Sequence, residues 1–310
     1  MHALFIGFET SIMWFKNVQV YRFTESFNLS VDQLDDALAK KPFNPLSQMQ
    51  ETSFGWVPPY KDSELYAEPV GGRFFFSAQI QEKILPASVL NEQLNEKLDA
   101  IEEAEGRRPG KKEREQLKED LRAILLPKAF HKTKRISAWI DVKNKWLVVN
   151  SASEKTADDF TANLREALGT LLVTPLGKST AGADLLTSWF LDLDNRPNGI
   201  ELEAELELAM AADSTVKARY KNLDLEAPEI KHSLDAGMRI IQMALSFDDQ
   251  FQFVINEKFQ LKRLKFQEKL VEQAGDSDDP RTDTLIMSDT LTQWLLELEK
   301  QLTEGEQAVV

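Results

Sequence analysis

The stretch from Ile136 to Val173 narrows the fold more than any other. Ile136, Ala138, Ile140 and Val142 alternate as a half-buried strand does, Lys143-Asn144-Lys145 is a polar turn, and Trp146 to Val149 supply a hairpin partner. Thr156 and Asp159 have the spacing of a capping box, which opens a helix carrying Phe160, Leu164 and Leu168; Leu171 to Val173 then form a short strand. The order β-β-α-β is half of a split ferredoxin-like unit. A hairpin with one apolar face must be covered, and a helix that follows it directly can do so, which predicts an α+β fold with largely antiparallel sheets.

The rest of the chain alternates in the same way. A strand is expected over 14–23 (WFKNVQVYRF), with Trp14, Val18 and Val20 on one face, and a helix over 31–40 that ends before Pro42. A loop with Gly55, Pro58 and Pro59 precedes a strand at 72–80. Leu90, Leu94, Leu98 and Ile101 mark one helix, and Leu117, Leu121, Ile124 and Leu125 a second that Pro127 stops. The breaker Gly106-Arg-Arg-Pro-Gly110 between them makes a helical hairpin with a basic tip. Ile200, Leu202, Ala204, Leu206 and Leu208 alternate with four glutamates as a strand paired to 216–220, against the helix propensity of Glu, Leu and Ala. Ile230, Leu234, Met238, Ile241 and Leu245 read as a helix, 251–255 and 259–266 as a hairpin, 275–280 as an acidic loop, and Leu291 to Leu302 as a terminal helix. No repeat of fixed period occurs, which disfavours solenoids and propellers. The expected division is an extension at 1–12, a β-rich unit at 13–80, a helical hairpin at 81–130, a central α+β unit at 131–228 and a C-terminal α+β unit at 229–310.

Composition removes several function classes. Without cysteine there is no disulfide framework, thiolate metal site or cysteine nucleophile, and the chain suits a reducing compartment. His2, His131 and His232 lie far apart and lack paired metal spacing. No apolar run approaches the ~18 residues of a membrane helix. The net charge of −14 opposes non-specific binding to nucleic acid, but the charge is segregated. Residues 107–145 hold 13 Lys/Arg against 5 Asp/Glu, 146–215 hold 4 against 12, and 270–310 hold 2 against 10. Within 258–269, Lys258, Lys262, Arg263, Lys265 and Lys269 face one acid, Glu268. Such partition allows one positive face on a negative particle; the plainer reading is a set of solvated faces.

Familiar catalytic and nucleotide motifs fail on inspection. LVTPLGKS at 172–179 ends like a phosphate-binding loop, but Leu172 replaces the first glycine and Pro175 lacks an N–H where such a loop points N–H groups at phosphate. Asp192, Asp194 and Asn195 suggest a calcium loop, yet Arg196 takes a liganding position and Pro197 the place of the turn glycine. Adjacent carboxylates such as Asp35-Asp36, Asp158-Asp159 and Asp278-Asp279 are usually solvated and nominate no catalyst.

Six strings are more particular than periodicity requires: MWFKN (13–17), GWVPP (55–59), EKILP (82–86), LLPKAF (125–130), AWID (138–141) and LKRLKF (261–266). In order and spacing they resemble the recombination-associated protein RdgC family of proteobacteria, from Met13 to about Leu302. The resemblance implies a cytoplasmic, nucleoid-associated protein without cofactor or catalytic activity that binds double-stranded and single-stranded DNA with little sequence preference and restrains RecA-promoted strand exchange. It also implies a crescent-shaped subunit in a closed ring homodimer, with duplex held in a basic hole; two such subunits close a ring through two unlike self-complementary contacts. Family members begin at the equivalent of Met13, so residues 1–12, poor as a signal peptide, are expected to be an extension.

On this resemblance the DNA-binding candidates are Lys128, Lys132, Lys134, Arg135, Lys217, Arg219, Lys221, Lys262, Arg263 and Lys265, and Phe130 is the subunit contact. The plain alternatives for Lys128 and Phe130 are a solvated helix end and a core aromatic. Two other functions stay open: a regulator acting mainly by contact with RecA, its DNA affinity incidental, and a hydrolase using acidic clusters.

Overall fold

The computed structural model describes residues 14–275 and 279–307; the expected extension at 1–12 and part of the acidic loop at 275–280 lie outside them. In chain order the elements are β1 (Gln19–Phe23), α1 (Val31–Ala39), β2 (Thr52–Val57), β3 (Ala67–Val70), β4 (Arg73–Ile84), α2 (Ala87–Glu105), α3 (Lys111–Leu125), β5 (Phe130–Asp141), β6 (Trp146–Val149), α4 (Glu154–Leu168), β7 (Val173–Pro175), α5 (Gly182–Leu191), β8 (Ile200–Met210), β9 (Lys217–Lys221), α6 (Pro228–Asp235), β10 (Met238–Phe247), β11 (Phe251–Asn256), β12 (Leu261–Phe266), α7 (Glu268–Gly275) and α8 (Pro280–Gln307). The strands form antiparallel sheets, as the hairpin pattern predicts. The chain divides into two compact units: one holds the described residues up to Val31, Glu68–Phe75 and those from Ser137 on, the other Asp32–Ala67 and Phe76–Ile136.

In the first unit β6 and β7 both pair antiparallel with β1, which therefore lies between them. The β6-α4-β7 segment is a split β-α-β unit, as expected from the sequence, with β1 as the inserted strand. Helix α4 starts one turn earlier than the Thr156–Asp159 spacing suggests, because Ser153 is the cap: its hydroxyl accepts from the Thr156 N–H at 3.3 Å.

The same unit contains a five-stranded sheet in the order β12-β11-β10-β8-β9. Leu206, Leu208, Met243, Leu245, Phe253 and Ile255 are buried on it, and Trp294 of α8 lies 5.2 Å from the Phe253 ring and 6.4 Å from that of Trp189 in α5. Burying such side chains contributes roughly 1.5–3 kcal/mol each, before conformational entropy is subtracted. A buried guanidinium ties α8 down as well: Arg73 donates to Asp141 (3.2 Å), Asp289 (2.6 Å), Ser288 (3.2 Å) and Thr292 (2.9 Å).

One expected helix holds only for its first part and continues as a strand. The apolar spacing from Ile230 to Leu245 suits a helix, yet α6 ends at Asp235 and Gly237, at φ 95°, terminates it while its N–H bonds the Leu234 carbonyl. Beyond it Met238, Ile240, Met243, Leu245 and Phe247 are buried at strand spacing, interrupted by a register shift between Ile240 and Gln242. That bulge moves the apolar set by one residue and mimics helical periodicity.

In the second unit β2 pairs with β4, from Thr52 opposite Glu82 to Val57 opposite Ser77. Gly55 is thus in a strand, not in the expected loop, and serves close approach: a Cβ there would stand 2.3 Å from the Phe43 Cα. The helical hairpin α2–α3 is present, with a small core of Leu90, Leu94 and Leu121.

Candidate nucleic-acid interface

Strand register places most of the predicted cations of the first unit on one sheet face. Lys265 is opposite Gln252, Gln252 opposite Ser246 and Ser246 opposite Glu201, so all four share a side; Lys262 shares it through Val254 and Ala244. At the other edge, Lys221 is opposite Glu205 and Arg219 opposite Glu207, and Lys217, Arg219 and Lys221 are exposed while Ala218 and Tyr220 are half-buried. The face therefore carries cations on its two edge strands, β9 and β12, with the β8 glutamates between them.

Ion pairs connect these rows. Lys217 meets Glu207 at 3.1 Å, and Glu205 takes Arg219 at 2.9 Å, Lys221 at 3.6 Å and Arg263 at 2.9 Å. Arg263 reaches Glu205 although β11 and β10 lie between, about 14 Å across a flat sheet. Two features allow this. Arginine and glutamate are long side chains, as are Gln252 and Glu203, whose 3.2 Å hydrogen bond spans β10 in the same way, and Arg263 sits at φ 54° in a bulge, where the register with β11 shifts between Gln252 and Val254. Partial burial works against ionisation of Glu205, but hydrogen bonds from Arg219 and Arg263 and the charges of Arg263 and Lys221 hold it below the usual carboxylate range. Lys262 and Lys265 carry no ion pair among the described residues.

The remaining candidates belong to the second unit. Lys128 ends a 3₁₀ turn, Leu126–Lys128, and is exposed, as is every residue from Phe130 to Arg135. Lys132 meets Glu82 at 2.9 Å, and Lys134 has no ion pair among the described residues. Arg135 serves the backbone: although the residue as a whole is exposed, its guanidinium tucks against the chain, donating to the Pro58 carbonyl and, at 2.8 Å, to that of Pro59, and the desolvation of that end lowers its pKa. Phe130 is 85% exposed, so it is no core aromatic. At the basic hairpin tip two of the cations are paired internally: Arg107 with Glu113 and Glu105 and Arg108 with Glu102, at 2.7–2.8 Å.

The motifs set aside from the sequence behave as turns. The Lys178 N–H bonds the Pro175 carbonyl and the Thr180 N–H that of Gly177, so these donors close a turn instead of facing a phosphate. The Asp192 carboxylate accepts from the Asp194 N–H at 3.0 Å and caps the 3₁₀ turn Leu193–Asn195. Among the described residues no three His, Asp or Glu side chains gather as a metal site would require. Glu205, the centre of the charged face, carried no distinguishing signal in the sequence: it is one of four alternating glutamates.

Fold and face together define an α+β protein of antiparallel sheets with an ordered ladder of charge on one sheet. Residues 13–305 match the family described as "Putative exonuclease, RdgC". The chain is 38% identical over 304 residues to the recombination-associated protein RdgC of Aeromonas hydrophila, covering 96% of this chain and 100% of that one. Its counterparts in Tolumonas auensis (37% identity, 96% and 100% covered) and Pasteurella multocida (34%, 96% and 99%) agree over the same extent. The chain belongs to the RdgC family.

Proposed function

We propose that this protein is a non-enzymatic, nucleoid-associated homodimer that binds DNA without sequence preference, holds duplex in the basic hole of a ring and so restrains RecA-promoted strand exchange. The observation that carries the reading is the shared face of Lys217, Arg219, Lys221, Lys262 and Lys265 with Arg263 reaching across it. Cations standing on a sheet meet phosphates without entering a groove, which gives affinity but no base readout. The acidic remainder of a −14 chain repels DNA elsewhere and confines binding to such faces. Lys128, Lys132 and Lys134 supply further phosphate contacts, Arg135 holds their strand to the Pro58-Pro59 segment, and exposed Phe130 supports a subunit contact.

Charge reversal at Lys262, Arg263 and Lys265 tests the reading. Duplex affinity should fall equally across unrelated sequences, and the slope of log affinity against log salt should flatten by up to ~0.9 for each lost phosphate contact. Altered sequence preference at an unchanged slope would refute it. Two further arms address the rivals. Release of nucleotides from DNA ends with Mg²⁺ would support the exonuclease of the family's description. Inhibition of RecA-driven strand exchange by the reversed variant, at salt where it no longer binds DNA, would favour action through RecA itself.

A further inference from the structure

Glu205 stands out on the charged face. In an ordinary cross-strand ladder each cation would neutralise the acid opposite, but Arg219 turns from its register partner Glu207 to Glu205, and Arg263 reaches Glu205 from the far edge. Three cations thus share one carboxylate: Oε1 takes Arg219 and Lys221, and Oε2 takes Arg263. Among the described residues Glu207 pairs with Lys217 alone. The Glu205 side chain is 17% exposed, so solvent does little to replace these partners.

A carboxylate and a phosphodiester present the same chemistry to such a cluster: two oxygens on one centre sharing one negative charge. Charge-assisted hydrogen bonds from arginine suit either anion, and Arg219 and Arg263 approach different oxygens, as two donors clamping a phosphate would. Three positive charges on one negative leave the cluster with a net charge of about +2, so an arriving backbone phosphate is still attracted.

We propose that Glu205 is an internal anion occupying a phosphate site built by Arg219, Lys221 and Arg263, and that a nucleic-acid phosphodiester takes its place when DNA binds. This rests on the reading that the face meets DNA, and makes Glu205 a brake on affinity: each binding event first breaks three ion pairs.

Duplex binding by E205Q and E207Q separates the site from its net charge. Both variants remove one negative charge, but E205Q frees three cations and E207Q one. E205Q should bind mixed-sequence duplex about fivefold to tenfold more tightly at ~0.1 M salt, with a salt slope steeper by up to ~0.9, and E207Q no more than about twofold more tightly. Thermal melting checks folding; should E205Q fail to fold, E205D keeps the charge, is too short to hold all three cations, and should still gain about twofold. Equal gains in E205Q and E207Q would overturn the proposal in favour of net charge. No gain in E205Q or E205D, while reversal of Lys262, Arg263 and Lys265 still weakens binding, would overturn it and leave the DNA-binding face standing. If that reversal changes nothing either, the face itself is wrong and the proposal falls with it. Inorganic phosphate is the last probe: saturable binding of it by E205Q with duplex affinity unchanged would make this a site for the free ion and refute the assignment to DNA backbone.

Discussion

Truncating Phe130 to alanine probes the proposed subunit contact without disturbing the protomer. With 85% of the residue exposed, the ring contributes little to the fold, and surface substitutions of this kind usually shift stability by no more than about 0.5 kcal/mol. A self-complementary contact repeats every residue, so two such rings leave water when it forms. At roughly 1.5–3 kcal/mol for each buried phenylalanine, the variant should weaken the contact by about 3–6 kcal/mol, or about 10²- to 10⁴-fold in its dissociation constant. If a second, unlike contact holds the dimer, sedimentation should still show two subunits, because only one junction has opened. The changed quantity is retention: after a salt jump the variant should leave closed circular duplex much faster than the wild type, while its initial affinity, set by unchanged cations, moves little. A melting temperature several degrees lower would show that Phe130 supports the fold. A dimer with wild-type release from circles would show that it closes nothing.

Two further predictions concern the fold around α8. Arg73→Met should cost about 3–5 kcal/mol in urea unfolding, because it strands the 3%-exposed Asp141 with only Asn144 as a hydrogen-bond partner among the described residues; a loss below about 1 kcal/mol would mean that the guanidinium network is energetically idle. Asp283 is 4% exposed, one carboxylate oxygen lacks a hydrogen bond, and burial together with the charge of Asp279 raises its pKa, so the folded state holds the proton more tightly than the unfolded chain and Asp283 destabilises increasingly as pH rises through its folded value. Asp283→Asn should therefore stabilise the protein by about 1 kcal/mol at neutral pH and lose that advantage in acid, and an equal effect across the whole range would refute it.

Much of the fold was legible because the patterns that carried it are local. The β5–β6 hairpin, α4 and β7 follow from alternation and helical spacing within about forty residues, where one face buries and the other does not. The helix expected over Ile230–Leu245 failed beyond Asp235 for a reason that periodicity cannot detect: a bulge at Ile241 shifts the apolar set by one, and the resulting spacing fits a helix. Gly237 was the available counter-signal, since glycine directly after an apolar turn stops a helix. The strand at β2 was hidden by its own glycine, which reads as a loop until the Phe43 backbone is seen against it.

The site was legible in composition but not in connection. Clusters of lysine and arginine at 217–221 and 261–266 are plain in the sequence, and alternation alone puts each set on one side of its own strand. Their shared face depends on a strand order, β12-β11-β10-β8-β9, that joins segments some forty residues apart, and on three register shifts, in a sheet where a one-residue error would invert the face. The role proposed for Glu205 lies deeper still, because it depends on a contact that spans two intervening strands and on the positive φ at Arg263, neither of which a string of alternating glutamates encodes. The same physics explains why counting charges misleads here: a net of −14 speaks against DNA, whereas one face with more cations than acids would attract it, and on the proposal each internal ion pair would set how much of that attraction a phosphate could claim.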